Sequence, residues 1–239
     1  MSTDITVTDI ARTIDHAILK PDLTRDEVDA QLALCAQYEV FSACVRPSDV
    51  SHAYEVLEGS GVAVCAVIGF PHGTTTTQTK VAEATEALDN GASELDMVIN
   101  IGRLRSGMLD DVEDDIRAVV VAAGEHVVKV ILETALLDDA QIEAGSKAAE
   151  RAGAAFVKTS TGFAGGGATV PHLRLMRAAV GPEVQVKASG GVRDLDTLLQ
   201  MRELGVTRFG TSATATILDD AAAREAGEQG TGATDDTSY

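Results

Sequence analysis

Basic residues are scarce in this chain: 19 Lys and Arg stand against 37 Asp and Glu, a formal net charge of −18 over 239 residues. Nucleic acids are held mainly by neutralising phosphates with Lys and Arg and by stacking bases on aromatic rings. With no basic tract, no Trp, three Tyr and five Phe, most nucleic-acid partners are excluded and none is expected. Cysteine is equally sparse. Cys35, Cys44 and Cys65 form an odd set with no CxxC pair, which speaks for a reducing compartment rather than a disulfide framework. The start, MSTDITVTDIART, has neither a basic n-region nor an apolar h-region, and the apolar runs fall far short of the roughly 20 residues of a membrane span. A cytoplasmic protein with no membrane partner is expected. His16, His52, His72, His126 and His172 show no HxxxH or HxH spacing, and no Cys or Asp cluster joins them, so no metal is expected. GxSxG, Walker and Rossmann fingerprints are missing too, because GFAGGGAT follows a lysine-bearing strand but lacks their spacing. Lys is rare even among the bases, and an acidic, lysine-poor surface suits a halophilic protein working in a salt-rich cytosol.

What is present is a rhythm. Short apolar, β-branched runs recur every 25 to 30 residues or so: ARTIDHAIL, VFSACV, VAVCAVIGF, SELDMVIN, VVKVILET, AAFVKTS, EVQVKAS and TRFGTS. Helical spacing fills the gaps. Thr24 with Glu27 and Asp138 with Gln141 have capping-box spacing, Asp194 precedes LDTLLQMREL, and Gly91, Gly124, Gly153 and Gly205 fall where helices should stop. Strands apolar on both faces and alternating with helices imply a parallel sheet covered by helices. Eight such units predict a closed α/β architecture, a single (β/α)₈ TIM barrel, with an open doubly wound sheet as the alternative. From Ala221 the composition shifts to Ala, Gly, Glu, Asp and Thr, so a barrel over residues 1–220 and a flexible acidic tail over residues 221–239 are expected.

In such a barrel, reactive groups sit at the C-terminal ends of strands and in the loops that follow. Lys129, Lys158 and Lys187, three of the six lysines, lie in consecutive strands, 29 residues apart each time. One buried Lys is readily explained by an ion pair. Three on neighbouring strands repel one another and each costs desolvation free energy, which becomes useful if one amine must be neutral. A Schiff-base-forming Lys has to be brought from about 10.4 toward roughly 7 to 8, and a neighbouring ammonium does that. Asp96 and Asp15 supply carboxylates on otherwise apolar strands, for proton transfer, for ion pairing, or for both. Cys44, ending the second strand, either faces the pocket or is a small core residue.

Ser189, Gly190 and Gly191 end the seventh strand, and Gly210, Thr211 and Ser212 end the eighth, each before a helix. Either loop alone could be a plain turn. Two in succession, at the position where barrels commonly hold phosphate, favour an anion cradle of backbone N–H groups.

The motifs IDHAILKP, SACVRP, VIGFPHG, SELDMVINIG, VKVILETALL, FVKTSTGF, ATVPHLRLMRAAVGP, VKASGGVR and RFGTSAT span nearly the whole chain. Together they resemble the deoxyribose-phosphate aldolase family, Schiff-base-forming lyases with a TIM barrel fold. The resemblance implies that Lys158 is the Schiff-base lysine, Lys187 the second lysine and Asp96 the acid/base aspartate. It places Asp15 and Lys129 in the polar network of the pocket, and Thr161, Gly162, Gly190, Gly191, Val192, Arg193, Gly210 and Ser212 along the substrate and phosphate site. It further implies a phosphorylated sugar substrate, 2-deoxyribose 5-phosphate, a homo-oligomer, and no cofactor, since the lysine iminium is itself the electron sink. Tyr239, closing the tail, matches a terminal Tyr that relays a proton in some members. Arg46 stands where many members carry Asn, and Phe163 where some carry Lys. Another Schiff-base barrel aldolase and a silent sugar-phosphate-binding barrel are the alternatives.

Overall fold

Every predicted apolar run forms a strand. In the computed structural model, which describes residues 5–228 with Gly230 and Gly232, these are β1 (Ile14–Ile18), β2 (Ser42–Val45), β3 (Ala63–Ile68), β4 (Glu94–Val98), β5 (Val127–Ile131), β6 (Phe156–Lys158), β7 (Gln185–Ser189) and β8 (Val206–Thr211). Each pairs in parallel with the next, and β8 pairs with β1 through Ile14 opposite Phe209 and Asp15 opposite Gly210. The sheet is therefore closed, and the open-sheet alternative is ruled out.

The helices are α1 (Val7–Ala11), α2 (Arg25–Gln37), α3 (Val50–Val56), α4 (Thr77–Asp89), α5 (Ile101–Arg105), α6 (Leu109–Ala123), α7 (Asp139–Arg151), α8 (Val170–Ala179), α9 (Leu195–Glu203) and α10 (Thr214–Glu225). Their starts follow local chemistry. Thr24 accepts from the Glu27 amide and Asp138 from the Gln141 amide, both as full capping boxes, and Asp194 caps α9 by accepting from the Thr197 amide. At the other end, Gly124 caps α6 with φ of 61°, a left-handed conformation that a side chain would resist. The final helix passes the 220/221 boundary expected from composition. Ala221 is buried, and Arg224 pairs with Asp196 and Asp220, so the last turn is held by packing and charge that an Ala-rich stretch does not advertise. Among the described residues, no helix is long and apolar enough to cross a membrane.

The period of two along each strand separates two interiors. Ala43, Val45, Leu95, Met97, Val128, Val130, Val157, Val186, Ala188 and Phe209 join the helices in one continuous apolar layer. Burying each large side chain there contributes about 1.5–3 kcal/mol. The alternate residues face the barrel axis. That inner side holds a small apolar group, Ala17, Leu19, Cys44, Cys65 and Val67, and beside it lie charges. Barrel interiors are ordinarily filled by branched aliphatic layers. Here Asp15, Glu94, Asp96, Lys129, Lys158, Lys187 and Arg208 are all buried instead.

Candidate active site

Strand register brings the predicted residues together. Asp96 on β4 lies opposite Lys129 on β5, and Lys158 on β6 lies opposite Lys187 on β7. Asp96 takes all three ammonium groups: Oδ1 accepts from Lys129 at 2.9 Å, and Oδ2 accepts from both Lys158 and Lys187 at 2.7 Å. Burial pushes the Asp96 carboxyl up, but Lys129, Lys158 and Lys187 more than reverse this and hold it well below the usual carboxylate range. Asp15 is treated the same way. Lys187 Nζ sits 2.5 Å from its Oδ2, Ser42 donates to Oδ1 at 2.6 Å, and the Arg208 guanidinium donates to Oδ1 as well. Burial again raises the group, and Lys187, Lys129 and Arg208 lower it further than burial raises it.

The lysines are not equivalent. Burial works against the charge of Lys187, yet Asp15 and Asp96 raise it above the ordinary Lys range, so it stays a cation. Lys129, also opposed by burial, is raised by Asp96, Cys65, Asp15 and Glu94, with Glu94 Oε2 2.6 Å away. Both are completely enclosed, whereas Lys158, at the end of its strand, keeps 3% exposure and among the described residues is ion-paired with Asp96. Within the barrel wall four basic side chains thus face three carboxylates, leaving one base in excess.

Above the lysines, the loops after β6, β7 and β8 enclose a cavity of about 280 Å³. Gly162, Gly165, Gly166 and Gly167 line one side, Gly190, Gly191, Val192 and Arg193 another, and Thr211, Ser212 and Ala213 the third. Two of these loops touch backbone to backbone. The Ala168 amide donates to the carbonyls of Ser189 and Gly190, and a Cβ on Gly167 would stand 2.3 Å from the Gly190 oxygen. The helix α10 begins at this cavity with Ala213 as its N-cap and no side chain capping its first turn, which leaves the positive end of the helix toward an anion. The first turn of α9, in contrast, is already capped by the carboxylate of Asp194.

Of the residues singled out in the sequence, Gly162, Gly190, Gly191, Val192, Arg193 and Ser212 line the cavity. Thr161 lies deeper, its hydroxyl and amide both donating to Glu133. Gly210 does not line the cavity. A Cβ there would meet Ser189 Cβ at 2.9 Å and Lys187 Cε at 3.4 Å, so this glycine makes room for the lysine. Cys44 faces inward, opposite Cys65, with Sγ 4.0 Å from Asp96 Oδ2. Cys44, Cys65 and Asp96 offer donor atoms within 4.8 Å of one another, but a metal ion there would join three ammonium groups already on Asp96, and the site does not fit one. Arg46 is not among the residues that line the glycine-lined cavity; it pairs with Asp49 at 2.6 Å and donates to the carbonyls of Lys20, Pro21 and Leu23, stapling the loop after β1. Phe163 packs edge-on against Phe70, 5.4 Å between centroids, beside a second, more apolar cavity. Tyr239 lies outside the described residues.

Several members of the site escape a reading of the sequence. Glu94 and Arg208 sit in strands without the repeat that marks the lysines; Arg208 stacks 3.5 Å over the Phe41 ring while bridging Asp15 and Glu94. Glu133 follows β5 in a loop. Gly165, Gly166 and Gly167 were visible as GGG, though not in any fingerprint that would assign them a ligand.

The site has close parallels. The profile of DeoC/LacD family aldolases matches residues 13–230. A deoxyribose-phosphate aldolase of Staphylococcus carnosus is 51% identical over 210 residues, covering 88% of this chain and 96% of that protein. Deoxyribose-phosphate aldolase 2 of Staphylococcus aureus is 53% identical, covering 87% and 94%. The solved structure of a tetrameric deoxyribose phosphate aldolase from Aeropyrum pernix superposes with a TM-score of 0.84 at 32% identity, covering 90% of this chain and 92% of that one. With a barrel closed in the same way and a match over nearly its full length, the chain belongs to the DeoC/LacD aldolase family.

Proposed function

We propose that the protein is a deoxyribose-phosphate aldolase, cleaving 2-deoxyribose 5-phosphate reversibly into glyceraldehyde 3-phosphate and acetaldehyde, with Lys158 as the Schiff-base lysine. The observation that carries this reading is the convergence of Lys158 and Lys187 on one oxygen of Asp96, beneath a glycine-lined cavity suited to a phosphate. The names of the relatives support the substrate.

The amine of Lys158 attacks aldehyde C1 and loses water to give an iminium. Attack requires the neutral amine, and because bases outnumber carboxylates in the barrel wall, one can be neutral without stranding an anion. Asp96, acting through a water, accepts the proton of the C3 hydroxyl. The electrons of the C2–C3 bond then pass to the iminium nitrogen, glyceraldehyde 3-phosphate leaves, and an acetaldehyde enamine remains on Lys158. Protonation at C2 and hydrolysis release acetaldehyde and free the lysine. Lys187, held as a cation, fixes the ionised form of Asp96 and orders charge around the reacting carbon. Asp15 and Lys129 keep that cation and carboxylate in place, and the cavity with Arg193 and the start of α10 holds the phosphate.

The three cysteines are free, in keeping with a cytoplasmic enzyme. The tetrameric relative supports assembly with further copies of this chain. The decisive experiment incubates the protein with acetaldehyde and borohydride and follows glyceraldehyde 3-phosphate release from 2-deoxyribose 5-phosphate. Release together with an N-ethyl adduct on Lys158, both absent in Lys158→Ala, is expected. An adduct on Lys187, or none with turnover intact, overturns the assignment.

A further inference from the structure

Glu133 occupies a place its backbone does not favour. Its φ of 59° and ψ of 61° lie in the left-handed region, where Gly and Asn sit easily and a longer side chain costs free energy. Among the described residues one other non-glycine residue has positive φ, Glu39, and that one is exposed; Glu133 is 1% exposed. A buried carboxylate in a disfavoured conformation points to a task for the side chain.

The contacts show what it grips. Glu133 Oε2 accepts from the Thr161 amide at 3.1 Å and from the Thr161 hydroxyl, and that hydroxyl oxygen in turn accepts from the Phe163 amide at 3.0 Å. The next residue adds a backbone bond, from the Thr134 amide to the Thr159 carbonyl. The loop after β6 is thus pinned from Thr159 to Phe163 by the end of β5. Lys158 lies on one side of the pinned stretch and Gly162 and Gly165–Gly167, a wall of the anion cavity, on the other. With its hydroxyl donated to Glu133, Thr161 fixes the loop and does not donate to a ligand.

We propose that Glu133 is a positioning residue that, through Thr161, sets the distance between the Lys158 amine and the phosphate cavity. The proposal rests on the reading of Lys158 and the cavity given above. A substrate tied at both ends, covalently to Lys158 and by its phosphate to the cavity, reacts only if that span is right. A substrate without phosphate is tied at one end and is indifferent to it.

The test compares kcat/KM for 2-deoxyribose 5-phosphate with that for 2-deoxyribose. Glu133→Asn suits the backbone but is too short to reach Thr161, and it should reduce the preference for the phosphorylated sugar about 10- to 100-fold. Trapping of acetaldehyde on Lys158 should fall far less than that preference does. Glu133→Gln, which keeps the reach and an acceptor oxygen, should recover most of the preference. Thr161→Val, which removes only the hydroxyl, should reproduce much of the loss, and should add nothing in the Glu133→Asn background. It reads the proposal independently if Glu133→Asn does not fold. Wild-type preference in Glu133→Asn or Thr161→Val, equal loss on both sugars, or additive losses in the double variant would overturn the proposal. A wild-type protein that forms no adduct would overturn the functional reading and the proposal with it.

Discussion

Asp96 shows how much one residue's chemistry depends on its neighbours: alone in a barrel it would be protonated, and three ammonium groups keep it ionised. Removing one of them should leave the nucleophile and disturb the proton traffic. Lys187→Leu should still be trapped by acetaldehyde and borohydride, while kcat falls by roughly 10²- to 10⁴-fold, the usual range for lost acid–base assistance. Circular dichroism on the variant separates this from unfolding, since a broken buried ion pair also costs about 3–5 kcal/mol of stability. A second residue, His16, governs stability without touching the chemistry. It is fully buried, with Nε2 2.7 Å from Gln31 Oε1 and Nδ1 2.8 Å from Thr214 Oγ1, and burial holds its pKa down to about 4, partly offset by the Gln31 bond. Unfolded, it takes up a proton near pH 6.5. The unfolded state therefore binds the proton first as pH falls, and stability that is complete above about 6.5 is lost progressively between there and about 4. The loss is on the order of 3 kcal/mol at 1.36 kcal/mol per unit. Urea titrations across this range should show the slope in the wild type and lose it in His16→Gln; an unchanged slope would assign it elsewhere.

At the scale of elements, the loops matter more than the strands that carry them. The backbone contact between Gly167 and Gly190 leaves no room for a methyl group. Gly167→Ala should force the loops after β6 and β7 apart and raise KM for the phosphorylated substrate about tenfold or more, with a smaller change in Tm than a core truncation gives. Unchanged KM would mean that the cavity does not hold the phosphate. This contact also marks where legibility ends. Lys129, Lys158 and Lys187 could be found because a regular repeat of charge in apolar strands has few explanations, and Thr24, Asp138 and Asp194 because capping is a local code. Arg208 and Glu94 could not, since a single charge in a short strand reads equally as its exposed end. Glu133 was hidden because the partner its side chain holds, Thr161, is 28 residues away, and nothing in ETALL signals a left-handed turn. The extension of α10 to Glu225 was missed for a related reason: its last turn is held by Ala221 packing and by Asp196, not by an apolar period.

For the molecule as a whole, the outer surface carries the consequence of composition. The whole of the negative excess lies away from the barrel axis, because the axis itself, with four bases and three carboxylates, carries one positive unit against the chain's −18. Exposed carboxylates repel over a Debye length of about 30 Å at 0.01 M salt and about 3 Å at 1 M. We propose that the protein is adapted to a salt-rich medium, so that Tm and activity rise between low and molar KCl. A Tm that stays flat or falls would sink this proposal and leave the aldolase chemistry untouched.

The charges at the barrel axis are also divided along the chain. Asp15, Glu94 and Asp96 come from β1 and β4, in the first four strands, whereas Lys129, Lys158, Lys187 and Arg208 come from β5, β6, β7 and β8. One half-barrel is acidic at the axis and the other basic, with the turn at Gly124 between them. Neither half can bury its own axis without stranding like charges, and each is the other's counterion. Expressed as separate pieces cut at Gly124, the halves should fail to fold singly and recover native circular dichroism when mixed. Closure of the ring is then what neutralises the protein's interior, and an incomplete barrel is penalised from its centre outward.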